Sequence, residues 1–408
     1  MHRSPYVLAW LLLATLGGLN GCGTATTQET ANHVQQNETC QVRSRNERRR
    51  FDQVYNDWKT LVGQLAVLDL ECQAASTHRR DELKQRYEQL VSEGTAAQQQ
   101  VVQAAVAAYA KAPEENADLA AFLTGVVFLL VDQEEYEEAL RLAHILLDRG
   151  VSRGELYALA GTAAFAVGEF GLAEKHLRRA QKERALMGMA AQYLNDIDYY
   201  KTAWDKEKRL RSVEYSASDL PRVLLKTTQG ELELELFENQ APNTVANFIW
   251  LVEQGFYDGL TFHRVLPRFM AQAGCPNGDG TGGPGYTIPC ECYGEDHRIH
   301  FRGSLSMAHS GRDTGGSQFY VTFVPLRNLD GNHTVFGRVV RGIDVLARLQ
   351  RREPRDPLSV KINPHASVVI PSADRIISAK VLRKRNHPYT PKVYQTPKAA
   401  DGHRPTDS

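Results

Sequence analysis

A guanidinium beside an imidazole, Arg264 next to His263 in Phe262-His263-Arg264-Val265, is the first pairing in this 408-residue chain that could do chemistry. Arginine keeps its charge and offers a planar fork of donors. Taken alone, the pair reads as a structural ion pair on a strand. His263 would face the opposite side of a regular strand and reads as structural. Other candidates are weaker. Cys290-Glu291-Cys292, with His297 nearby, has metal-binding residue types, but a C-x-C without a second matched pair is not a zinc pattern, and no metal is expected. The run Gly280-Thr281-Gly282-Gly283-Pro284-Gly285 lacks the Lys-Ser/Thr ending and following helix of a phosphate loop, and reads as a surface loop bordering a groove. What sets Arg264 apart is its company. Gly255-Phe256-Tyr257-Asp258-Gly259-Leu260-Thr261 leads into it, and Phe269-Met270-x-Gln272-x-Gly274 follows. Then come Gly303-Ser304-Leu305-Ser306-Met307-Ala308, Gly316-Ser317-Gln318-Phe319 and Leu329-Asp330-Gly331-x-His333-x-Val335-Phe336-Gly337.

These blocks, in this order and spacing, resemble the cyclophilin-type peptidyl-prolyl cis/trans isomerases from about Pro221 to Arg385. The resemblance implies a closed antiparallel β-barrel with capping helices, a peptidyl-prolyl cis/trans isomerase activity on X-Pro bonds, and no cofactor. The X-Pro amide resists rotation with a barrier of roughly 18–20 kcal/mol. Lowering it takes no nucleophile, only an apolar pocket for the ring and a donor that stabilises the twisted amide. By resemblance, Arg264 matches the catalytic arginine, directed at the prolyl nitrogen. Gln272 and His333 stand with it as catalytic residues, and they and Gln318 match groups that position the substrate backbone. Phe269, Met270 and Leu329 match the wall of the proline pocket, and Ala308 the surface along which the preceding residue lies. Three positions depart from the pattern. Tyr320 stands at the common pocket phenylalanine and adds a hydroxyl that needs a partner if buried. Asn328 stands where a tryptophan is frequent, and His309 replaces a frequent asparagine.

The elements that must position these residues begin near residue 221, where the periodicity changes. Val223 to Thr228, the turn Gln229-Gly230 and the strictly alternating Glu231-Leu232-Glu233-Leu234-Glu235-Leu236 predict a hairpin with one buried and one wet face. A helix follows from about Asn243, closed by Gly255. Upstream, residues 42–215 predict an α-helical domain. Phe51, Val54, Trp58, Leu61, Val62, Leu65 and Leu68 form one stripe, and alternation by two is absent. Tyr136-x-x-Ala139 recurs 34 residues later as Phe170-x-x-Ala173. That is the tetratricopeptide period, so residues of about 117–184 resemble such repeats, with Gly161 and Gly168 where two helices pack closely. Such a domain would offer a concave face to a protein partner or hold the isomerase off a membrane. Both readings stay open.

The first 21 residues resemble a bacterial lipoprotein signal peptide. Met1-His2-Arg3 is weakly basic, Tyr6 to Leu16 is apolar but short, and Leu19-Asn20-Gly21-Cys22 follows. The resemblance implies lipidation of Cys22, a flexible tether over 22–41, and a protein anchored to a bacterial membrane on its periplasmic side. In that oxidising setting Cys40 with Cys72, and Cys275 with Cys290 or Cys292, are pairings that respect the domain division. Lys and Arg total 48 and so do Asp and Glu, so no basic excess points to nucleic acid. Arg48-Arg49-Arg50 reads as a solvated helix face. Residues 386–408 lack periodicity and are expected to be a disordered tail.

Overall fold

The computed structural model describes residues 31–75, 77–353 and 372–395. The apolar run, the signal pattern and Cys22 lie outside them. The described chain forms two compact units. One runs up to Ala164 and adds Leu172–Leu194; the other comprises Phe165–Gly171 and everything from Asn195.

The first unit is helical. Helices α1 (Ala31–Ala74) and α2 (Thr77–Lys111) pack along each other, followed by α3 (Ala117–Asp132), α4 (Tyr136–Asp148), α5 (Gly154–Ala166), α6 (Phe170–Lys182) and the start of α7 (Gly188–Ala217). Residues 31–41, expected as a tether, are the first turns of α1. On α1 the buried stripe is Phe51, Tyr55, Trp58, Val62, Leu65 and Leu68, steps of three and four that keep one face inward. Phe51 and Tyr55 meet Phe122 of α3 edge to face at 5.7 Å. Arg48 leaves the solvated face to form a bidentate pair with Asp118, at 2.7 and 2.9 Å, while Arg49 and Arg50 stay exposed. Gly161 lets α5 and α6 approach closely, since a Cβ there would sit 2.6 Å from Leu177 Cγ.

The second unit is a curled antiparallel sheet. Its strands are β1 (Arg222–Thr227), β2 (Gly230–Leu236), β3 (Arg264–Leu266), β4 (Met270–Ala273), β6 (Ser304–Met307), β7 (Phe319–Thr322), β8 (Val335–Arg341) and β9 (Ile376–Arg383). They follow the order β3-β4-β7-β6-β8-β2-β1-β9. The expected closed barrel is a half-barrel. Its edge strands β3 and β9 do not ladder together, and the seam is spanned by single bridges, Thr261 to Arg375 and Val265 to Arg352. The reason is local: the chain before β3 is a run of turns with positive φ at Gly255 and Gly259, leaving β9 only residues 259–262 to bond. Leu232, Leu234, Leu305, Val321 and Phe336 fill the concave face. Helix α8 (Pro242–Glu253) plugs it with Val245, Phe248 and Ile249, and the short α9 (Val345–Arg348) adds Val345 and Leu346. Phe248 lies 5.1–5.4 Å from the rings of Tyr257, Phe319 and Phe336.

The chain passes from α7 to β1 between Ala217 and Arg222, and α7 from Asn195 onward groups with the sheet. Two expectations about this unit change. The outer face of β2, expected wet, is exposed at Glu231 and half-buried at Glu233 but covered at Glu235. Glu235 is buried, bonded to Arg338 at 2.6 Å and Arg222 at 2.9 Å. Burial opposes its ionisation, and Arg338 and Arg222 outweigh burial, so its pKa lies below the ordinary carboxylate value. Above it, Glu207 and Glu214 of α7 reach Arg298 at 3.1 and 2.6 Å, and Arg338 at 3.7 and 3.4 Å. All four side chains are mostly buried, and Phe237 lies beneath both guanidinium groups, 3.8 Å from that of Arg298. The other correction concerns residues 386–395 of the expected disordered tail, which pack on this unit. Tyr389 donates to Glu238 at 2.9 Å, and β10 (Tyr394–Gln395) pairs with β5 (Tyr286–Thr287).

Candidate active site

The sheet register builds the site. Arg264 of β3 stands opposite Gln272 of β4, Gln272 opposite Tyr320 of β7, and Tyr320 opposite Ser306 of β6. Side chains alternate along a strand, so these four form a row across the convex face, while Val265, Ala271, Val321 and Leu305 form the matching row in the core. His263 shares the parity of Val265 and is buried away from Arg264. Its burial, and then the charge of Arg352, press its pKa down to about 4, so it is neutral at pH 7.

Around that row lies a groove of about 980 Å³ lined by Arg264, Phe269, Met270, Gln272, Ala308, Gln318, Tyr320, Leu329 and His333, with Gly280–Gly285, His309 and Thr314 on its borders. All nine isomerase-site residues singled out in the sequence meet here. Met270 and Tyr320 form its buried floor, and Phe269 and Leu329 its partly open sides. The Arg264 side chain is 35% exposed, with Glu353 at 3.6 Å. Gln272 donates to Gln318 at 2.9 Å, and Gln318 donates to the carbonyls of Gly280 and Gly282 at 2.8 Å each, which ties the glycine loop to the strands. Gly274, with φ +85°, begins that loop, because a Cβ there would strike the carbonyl oxygen of Ser317. His333 donates to Met307 O through Nδ1–H, at 3.0 Å, and stacks on His309 at 4.1 Å. Burial, then the neighbouring His309, hold its pKa below the usual histidine value.

Cys275 does not pair with Cys290 or Cys292 as expected, all three being free thiols; the expected partner of Cys72, Cys40, has its side chain outside the described residues. The Cys275 sulfur instead accepts the backbone N–H groups of Gly280 and Gly282, both at 3.2 Å. Glu291, between the other two cysteines, caps α8: its carboxylate takes the N–H groups of Asn243 and Thr244 at 3.0 and 2.8 Å. No group of three or more metal-ligating side chains occurs among the described residues.

Sequence reasoning missed His300. It is fully buried beneath the groove, with Nε2 2.9 Å from the Tyr320 hydroxyl and Nδ1 2.8 Å from Asp330. The hydroxyl that Tyr320 adds was the available signal, since it demanded a buried partner. Glu353, beside Arg264, carried no signal of its own.

Chemically, the groove offers an apolar cup for a small ring, one fixed cation at its edge, and amide groups able to bond an extended backbone. That set can polarise and twist an amide rather than cleave it.

A family model described as cyclophilin type peptidyl-prolyl cis-trans isomerase/CLD matches residues 222–375. A peptidyl-prolyl cis-trans isomerase of Synechococcus elongatus is 52% identical over 143 residues, covering 35% of this chain and 97% of that protein. Peptidyl-prolyl cis-trans isomerase B of Bacillus subtilis is 59% identical over 115 residues, covering 28% of this chain and 80% of that protein. A solved Cryptosporidium parvum cyclophilin type isomerase is 28% identical with a TM-score of 0.34, covering 41% of this chain and 99% of that one. Through its second unit, this chain belongs to the cyclophilin-type peptidyl-prolyl cis-trans isomerases.

Proposed function

We propose that this isomerase acts on X-Pro bonds of extracytoplasmic proteins and assists their folding while anchored by a lipid on Cys22. The observation that carries the catalytic part is the row Arg264–Gln272–Tyr320, with Tyr320 and Met270 as the floor and Phe269 at its side. A proline ring seated on that floor brings its amide under the Arg264 guanidinium. There the donor fork stabilises the nitrogen lone pair regained when the amide twists. Gln272, Gln318 and His333 hold the flanking backbone, and Ala308 leaves room for the residue before proline.

The anchored location rests on the sequence alone, on the apolar run that ends in Leu19-Asn20-Gly21-Cys22. Two acyl chains give stable attachment where one does not. The helices α3 to α6 are proposed as a tetratricopeptide-like pair of repeats offering a face to a protein partner. This reading is supported by the 34-residue recurrence and by the close α5–α6 approach at Gly161.

Two measurements test the proposal. Intact-mass analysis of the native protein should show lipid mass on an N-terminal Cys22; a soluble mature chain beginning elsewhere overturns the anchor. Refolding of an exported protein limited by X-Pro isomerisation should accelerate with the wild type, and acceleration by an Arg264→Ala protein to the same degree would overturn the catalytic account.

A further inference from the structure

The proline pocket is gripped from behind by a helix that precedes the isomerase sequence blocks. Two side chains one turn apart on α7 do this. Asp196 pairs with Arg327 at 2.7 Å, and the Tyr199 hydroxyl donates to Asp330 Oδ2 at 2.8 Å. The Arg327 guanidinium also lies over the Tyr199 ring, 4.4 Å from its centre. Arg327 and Asp330 bracket the single 3₁₀ turn Arg327–Leu329, which carries the pocket side Leu329. From Asp330 the hydrogen bonds continue inward. Its Oδ1 accepts both the His300 backbone N–H, at 2.7 Å, and the Nδ1–H of the same residue, at 2.8 Å. Those two bonds fix the imidazole plane and place its proton on Nδ1. On the other side of the ring Nε2 bonds the Tyr320 hydroxyl at 2.9 Å and Ser306 Oγ at 3.1 Å, with the imidazole and the Tyr320 ring 7° from parallel. Tyr320 is the pocket floor and stands edge-on to His333 at 5.6 Å.

We propose that Tyr199, Asp330 and His300 are positioning residues for proline binding: through them, α7 sets the places of Tyr320 and Leu329, two of the surfaces that grip the ring. None of the three touches the substrate. Their effect should therefore fall on how well the ring is held, while the donor that lowers the barrier, Arg264, sits across the groove and is unaffected.

The test uses the full chain and NMR exchange of a short X-Pro peptide, which separates affinity from turnover. Tyr199→Phe removes one hydroxyl and should raise KM by about 2- to 5-fold, and Asp330→Asn by about 5- to 10-fold, with kcat within about twofold of wild type. The decisive arm is a double-mutant cycle with Tyr320→Phe, which cuts the chain of bonds at its last link. Asp330→Asn should then raise KM at least threefold less than it does when the hydroxyl is present. Additive effects in the cycle overturn the proposal, as does a fall in kcat at unchanged KM. Should Asp330→Asn fail to fold by thermal melt, the same cycle run with Tyr199→Phe decides the matter by the same criteria.

Discussion

The helical unit and the isomerase unit are both packed around apolar cores, yet they spend their polar residues differently. In the helical unit charged residues often pair locally along one helix, as Arg141 with Glu138 does at exposed positions where such pairs contribute little, and the long-range Arg48–Asp118 pair is only half-buried. In the isomerase unit, polar groups far apart in sequence are buried against each other: Glu214 with Arg298, His300 with Asp330, Glu235 with Arg338. Shape in the first region comes from apolar periodicity and small residues. In the second, long-range polar pairs add constraints on where the site residues lie, so a single polar change there should reach the chemistry.

The largest expected effect tests that contrast at the buried charges. Removing one partner from a buried pair costs about 3–5 kcal/mol, because the remaining charge stays unpaired. Glu214→Gln should accordingly lower the melting temperature of the isomerase unit sharply. A fragment beginning at Ser218, which lacks both glutamates, should fold less stably than one beginning near Asn195. Equal stability of the two fragments would show that α7 is dispensable. Next is Arg264→Ala, expected to lower kcat by roughly 10²–10³-fold if its loss resembles that of an oxyanion-hole donor, with folding and peptide affinity little changed. Arg264→Lys should rescue little, since a point charge lacks the planar fork. Retention of most turnover by a folded Arg264→Ala protein would make the groove a proline-binding surface.

Gly161→Ala sharpens the comparison from the other side. Its Cβ would crowd Leu177, and overpacking of this kind costs about 1–3 kcal/mol. Hydrogen exchange should show the loss confined to α5 and α6, with isomerase turnover unchanged. The smallest effect concerns pH. His176, packed between the rings of His144 and Tyr157, has its pKa pressed down to about 4 by burial and then by His144. Between its ordinary value near 6.5 and about 4, the unfolded chain binds a proton that the folded unit does not. Stability is thus full above pH 6.5 and falls as the pH drops towards 4. His176→Gln should flatten that part of the profile by on the order of 1 kcal/mol; an unchanged slope would show that the imidazole titrates normally.

Much of this was legible in the sequence. The β1–β2 hairpin, α8 and the groove residues could be placed because each has a local signature: alternation, a helical stripe closed by glycine, or a block in a recognisable order. The alternation of β2 was read as one dry and one wet face, but Glu235 is charged and buried. No pattern within one strand reveals that a helix from upstream brings cations and anions to cover it. The same blindness hid the role of His300, whose partners lie at positions 306, 320 and 330. Phe170 looked like half of a repeat motif, yet its ring stacks on Tyr200 at 5.4 Å, in the isomerase unit. Residue type and local spacing carry chemistry and secondary structure; they do not carry which distant element supplies a counter-charge.

The buried carboxylates of α7 have one more consequence, in the order in which the chain is made. Glu207 and Glu214 leave the ribosome before Arg298 and well before Arg338. Until then Glu207 has Arg211, one turn along α7 at 2.7 Å, while Glu214 must draw on water, so the inner face gains little by leaving water before the sheet arrives. Because the helix waits on contacts closed over long stretches of chain, the isomerase unit is slow to commit to its fold. In the export proposed above, a helix that stays hydrated until its last partners emerge would be an asset in transit.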